Sequence, residues 1–92
     1  MPILSFQHKG LKQFFETGSK AGIKPEHAIK LRELAALHTA EEVNDMNIPG
    51  YRLYALSGNL AGRWAIDVSK NWRITFEFTN GNAYVTNYED YH

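Results

Sequence analysis

Apolar positions follow a helical period in the first half of this chain and a strand period in the second. Ile3, Leu4 and Phe6 predict a short opening strand. Leu11, Phe14 and Phe15 fall at i, i+3 and i+4, the stripe of an amphipathic helix, and Gly18 stands where a left-handed cap would end it. A second helix is expected from about Pro25, whose fixed φ suits a first turn. Ala28, Leu31, Leu34 and Ala35 then repeat at helical spacing, with Leu37 beside them. Thr39 and Glu42 read as a capping box for a short third helical segment carrying Val43 and Met46, and Pro49-Gly50 stops it.

In the second half Trp64, Ile66 and Val68 alternate, as do Trp72, Ile74, Phe76 and Phe78, and Asn80-Gly81 is a strong hairpin signal before a strand over 82–89. A two-residue turn there pairs Phe78 with Ala83, Phe76 with Val85 and Arg73 with Tyr88. A three-residue loop Ser69-Lys70-Asn71 puts Val68, Ile66 and Trp64 opposite Trp72, Ile74 and Phe76, and pairs Arg73 with Asp67 and Arg63 with Glu77. The other face is then polar: Arg63, Ala65 and Asp67, then Arg73, Thr75 and Glu77, then Tyr84, Thr86 and Tyr88. The fold class is α+β, two N-terminal helices and a short third helical segment on one face of an antiparallel sheet, with the opposite face open.

Ninety-two residues make one domain, 1–92, and 43% hydrophobic residues exclude wholesale disorder. The absence of cysteine excludes a disulfide scaffold, a thiolate zinc site and a thiol nucleophile. No apolar run reaches the roughly 20 residues that span a bilayer, and the start lacks a signal-peptide core, so a cytoplasmic protein without membrane contact is expected. Net charge is zero but segregated: residues 1–32 carry six basic against two acidic side chains, 33–50 only four acidic, and 51–80 four basic against two acidic. That distribution can present a basic face to phosphates, but from charge alone solvated helix faces are the preferred reading.

Candidate chemistry collects at Tyr88-Glu89-Asp90-Tyr91-His92. Proton-transfer groups beside Arg73 suit RNA cleavage without metal: a base deprotonates a ribose 2′-OH, a cation stabilises charge on phosphorus, and an acid protonates the departing 5′-oxygen. His92 is a candidate acid or base, Asp90 or Tyr91 its complement, and Arg73 the cation. The bland alternatives are a solvated histidine and a cross-strand Arg73–Asp67 pair contributing about 0.2–1 kcal/mol. His8, His27 and His38 share no metal-ligand spacing, and no phosphate-loop or nucleophile-elbow motif is present, so neither metal nor cofactor is expected.

The run Leu53-x-x-Leu56-x-Gly58-x-x-x-Gly62-x-Trp64-x-Ile66-x-Val68-x-x-x-Trp72-Arg73-Ile74-x-Phe76-x-Phe78, with Asn87-Tyr88-Glu89-Asp90-Tyr91-His92, closely resembles the HigB toxins of the RelE/ParE superfamily. The likeness spans nearly the whole chain, including Phe6-x-x-Lys9-Gly10-Leu11. It implies a RelE-like fold and the toxin of a type II toxin–antitoxin pair, a ribosome-dependent endoribonuclease that cuts mRNA in the ribosomal A site. It also implies a HigA-type helix-turn-helix antitoxin, with operator DNA reached only through that partner. Arg73, Asp90, Tyr91 and His92 inherit the catalytic assignment, and Tyr54, Arg63, Lys70 and Tyr88 become candidate RNA contacts on the open face. Some relatives carry a histidine and a lysine where this chain has Tyr54 and Ser57, which predicts one positive charge fewer in the site. The same fold also serves ParE-like toxins that bind DNA gyrase, and a degenerate toxin kept only to bind its antitoxin is a third alternative.

Overall fold

A computed structural model describes residues 2–91. Helix α1 spans Lys9–Thr17 as the apolar stripe predicts; the His8 ring accepts the Leu11 N–H at 2.9 Å, and Gly18 ends the helix at φ 80°. Its first turn lies against the 19–23 loop so closely that a Cβ on Gly10 would sit 2.3 Å from the Gly22 carbonyl oxygen.

The second helix differs from expectation. Pro25–His27 and Lys30–Arg32 form 3₁₀ turns, and only Glu33–Thr39 is α-helical (α2). Apolar residues three apart, as at Ala28, Leu31 and Leu34, satisfy a repeat of 3.0 as well as 3.6, so spacing does not separate the two. Tertiary contact settles it: the His27 ring and the Lys24 N–H both meet the Tyr88 hydroxyl, which pins this turn to the sheet. Thr39 is not a cap either, because its hydroxyl bonds back to the Ala35 carbonyl at 3.0 Å. The reciprocal cap belongs to Glu42 and Asp45, at the head of a 3₁₀ turn over Val43–Met46.

Strands β1 (Tyr54–Ala55), β2 (Arg63–Asp67), β3 (Trp72–Thr79) and β4 (Asn82–Asp90) form an antiparallel sheet in chain order. Beyond β4 the opening residues add single parallel bridges, Ile3 to Ala83 and Phe6 to Thr86. The core lies between sheet and helices, with Leu11, Leu31, Leu34, Leu37, Met46, Ile66, Ile74 and Phe76 fully buried. Among the described residues no helix is long and apolar enough to cross a membrane.

The β2–β3 register is as expected, with Asp67 opposite Arg73 and Arg63 opposite Glu77. The β3–β4 register is not. Phe78 faces Ala83, but the pairing shifts between Thr75 and Glu77 so that β4 carries one extra residue, a β-bulge. Beyond it Ile74 faces Tyr88 and Arg73 faces Glu89, and every later side chain of β4 exchanges faces. Thr86 and Tyr88, expected on the open side, are therefore buried on the helix side, Tyr88 at 3% exposure. Counting back from the Asn80-Gly81 turn assumes an unbroken ladder, and nothing in the composition of β4 signals the bulge.

Candidate active site

The side of the sheet away from the helices carries three cross-strand rows. They are Arg63–Glu77–Tyr84, Tyr54–Ala65–Thr75–Asn87 and Asp67–Arg73–Glu89. The middle row is not open: Ala65 and Thr75 are buried, and the Arg63 guanidinium reaches across to donate to the Thr75 hydroxyl at 2.8 Å.

Arg73 is the centre of this face. Its side chain is only 12% exposed, its Nη2 donates to Glu89 Oε2 at 3.1 Å, and its Nη1 donates to the Tyr54 hydroxyl at 3.2 Å. The guanidinium also lies 4.7 Å from the centre of the Tyr91 ring, a cation–π distance. Burial works against its charge, but the Tyr54 and Glu89 hydrogen bonds outweigh that and hold its pKa above the usual arginine value. The Asn87 side chain meets the other Glu89 oxygen at 3.5 Å, so Glu89 is held from both sides.

Tyr91 donates its hydroxyl to the Lys70 carbonyl at 3.2 Å, while its backbone N–H bonds to Asn71. Its phenol pKa is raised, first by desolvation and then by the charges of Asp67 and Tyr54, with Arg52 and Arg73 pulling the other way. In this state Tyr91 is a neutral hydrogen-bond donor. Lys70 serves the site through its carbonyl, and its side chain is exposed in the β2–β3 turn.

The Asp67 carboxylate is held by Arg52 Nη1 at 3.3 Å, while its Oδ1 is buried without a hydrogen-bond partner. Arg52 follows a tight turn, Ile48–Tyr51, closed by the Tyr51 N–H on the Ile48 carbonyl and carrying Gly50 at φ 91°. Arg52 itself is left-handed at φ 54°. Together Arg52, Leu53 and Tyr54 line a pocket of about 310 Å³.

The structure thus brings together three of the expected residues, Arg73, Tyr91 and Tyr54, with Arg63 two rows from Arg73. Asp90 pairs with Trp72, and strand alternation directs it to the side opposite Arg73 and Glu89. His92 lies outside the described residues. Tyr88 is no surface contact, since its hydroxyl is 2.6 Å from the His27 ring nitrogen in the core. Sequence reasoning overlooked Glu89, Asp67 and Arg52 as members of this site. The first depends on the bulge; the last could have been suspected from its place just after Pro49-Gly50.

A family model described as the RelE-like toxin of the type II toxin–antitoxin system HigB matches residues 4–92. The chain is 47% identical over 91 residues to a Proteus vulgaris protein named Endoribonuclease HigB, covering 98% of this chain and 99% of that protein. It is 38% identical over 84 residues to Toxin HigB-1 of Vibrio cholerae serotype O1, covering 87% of each. The crystal structure of a histidine-to-glutamine mutant of YafQ from E. coli superposes with a TM-score of 0.58 at 17% identity, covering 98% of this chain and 93% of that one, a likeness of fold.

Proposed function

Because the chain belongs to the HigB-like toxins of type II toxin–antitoxin systems, we propose that it is an mRNA endoribonuclease that stops translation. The observation that carries this reading is near-full-length likeness to a protein named an endoribonuclease. It is supported by a largely buried arginine set among hydrogen-bond partners on the sheet face away from the helices.

Cleavage begins when the 2′-hydroxyl of the nucleotide before the scissile bond loses its proton and attacks phosphorus. The 5′-oxygen of the next nucleotide leaves with a proton, giving a cyclic phosphate and a free 5′-hydroxyl. Negative charge grows on the non-bridging oxygens, and Arg73 supplies the fixed cation that meets it. Glu89 and Tyr54 orient the guanidinium before substrate arrives, so its fork need not be reorganised during the reaction. The Tyr54 hydroxyl accepts from Arg73, which turns its own proton outward to a phosphate oxygen. Tyr91, kept neutral, is a second donor. His92 and Tyr91 divide the proton-transfer roles, Tyr91 as a proton donor, while Asp90, directed to the other side of β4, takes none, and Lys70 and Arg63 flank the RNA. Cleavage within the ribosome and neutralisation by a HigA-type helix-turn-helix antitoxin complete the reading. Tyr54, where some relatives have a histidine, leaves no gap in the site, since its hydroxyl is already a partner of Arg73.

The test is to incubate purified protein with mRNA, with and without programmed ribosomes, and map the new RNA ends. New ends at A-site codons, lost in Arg73→Ala and His92→Ala variants that stay folded, are the expected result. Intact mRNA under both conditions, together with DNA-damage signalling on expression, would instead indicate a gyrase-directed toxin.

A further inference from the structure

We propose that Arg52 is a second cation of the site and binds an RNA phosphate beside Arg73, an inference that rests on the endoribonuclease reading above. Arg52 and Asn80 are the non-glycine residues with positive φ among those described, and Asn80 sits in a hairpin turn that calls for it. Arg52 lies in no hairpin turn. It stands at φ 54°, a conformation that side chains with a Cβ adopt at a cost, where the chain leaves the Ile48–Tyr51 turn to join β2, with the Asp67 N–H on the Tyr51 carbonyl at 2.7 Å. The strained position aims the side chain along the sheet face, where it meets Asp67, the cross-strand partner of Arg73.

The two arginines differ in what they offer. Arg73 is largely buried, with both terminal nitrogens engaged by Glu89 and Tyr54. Arg52 is 77% exposed, and among the described residues its guanidinium makes one ion pair, through Nη1. It lines the shallow pocket with Tyr54, whose hydroxyl touches Arg73, and its charge is felt at the Tyr91 phenol together with that of Arg73. A phosphodiester approaching from solvent therefore meets Arg52 first and Arg73 deeper in. Asp67 holds the outer guanidinium until phosphate displaces it.

Arg52→Gly separates the two sides of this inference, because glycine accepts the left-handed backbone and removes the cation together with its pair to Asp67. Cleavage is measured as kcat and KM against potassium chloride concentration, on programmed ribosomes if free RNA is not cut. The variant loses the Arg52–Asp67 ion pair while its backbone relaxes, so it should stay folded near the wild-type melting temperature and keep kcat within about threefold. Its KM should rise about tenfold, and the salt slope of log(kcat/KM) should shrink by about one, as for loss of one phosphate contact. Arg52→Lys should recover the slope. If Arg52→Gly does not fold, Arg52→Asn, which also tolerates this conformation, carries the same expectation. Wild-type KM and salt slope in a folded variant would overturn the inference while leaving the endoribonuclease reading intact. A fall in kcat at unchanged KM would overturn it too, by making Arg52 a support for Tyr54. An unmodified protein that cuts no RNA would overturn the endoribonuclease reading, and this inference with it.

Discussion

Glu33 is 1% exposed, and neither carboxyl oxygen has a hydrogen-bond partner, although Lys30 Nζ lies 3.5 Å away. Desolvation, opposed by Lys30 and reinforced by the charge of Asp67, lifts its pKa from 4.5 to about 8. At neutral pH the carboxyl is thus protonated, and Lys30 relies instead on the Gly50 carbonyl at 2.9 Å and the Tyr51 ring. Between pH 4.5 and 8 the unfolded chain has released this proton and the folded one has kept it, so stability falls as pH rises. The contribution is fully present below the unfolded pKa and is lost as pH climbs to the folded one. Each unit corresponds to about 1.4 kcal/mol, so moving from pH 5 to 7 removes about 3 kcal/mol, a large share of the roughly 5–15 kcal/mol typical of a domain.

Glu33→Gln keeps the shape and abolishes the titration. His8 and His27, whose pKa values burial lowers, bias stability the other way over the same range, so the informative quantity is the variant minus the wild type at each pH. Urea unfolding followed by Trp64 and Trp72 fluorescence should show that difference growing by about 3 kcal/mol in favour of the glutamine between pH 5 and 7. A difference independent of pH would refute the reasoning and mean that Glu33 is ionised in the folded protein.

Gly10→Ala forces a Cβ into the Gly22 carbonyl, backbone against backbone, and should cost about 2–3 kcal/mol. In a domain of this size that lowers the melting temperature by about 10–20 °C, which a thermal scan followed by circular dichroism would read. Tyr88→Phe leaves the His27 ring and the Lys24 N–H without their shared partner and should cost about 1–2 kcal/mol. RNA cleavage by the folded variant should be unchanged, because Tyr88 faces the helices; a large loss of cleavage would put it back on the RNA side.

The α1 stripe, the Asn80-Gly81 hairpin and the β2–β3 register were legible because each is a local pattern with a single geometric solution. The bulge was not, since it arises where a buried sheet bends, and its effect is to bring Glu89 rather than Tyr88 to Arg73. Glu33 was equally hidden: a glutamate at the start of a helix reads as solvated until the fold places the 48–52 turn and Lys30 over it. Arg73 and Tyr91 were picked out by their motif and the fold does bring them together, whereas Arg52 comes beside Asp67 through a backbone conformation that residue type does not announce.

The pairing of residues 3–6 with β4 has a bearing on when the protein becomes active. The strand that holds the opening residues in the sheet is the one synthesised last among those described, and the same strand brings Glu89 to Arg73. A chain still emerging from the ribosome has neither edge of the core closed nor its arginine oriented. A fragment that stops short of β4 lacks Glu89 and Tyr91, two of the partners that set the Arg73 guanidinium. Closure of this sheet edge and the setting of Arg73 are therefore one event, the docking of β4 between β3 and the opening residues.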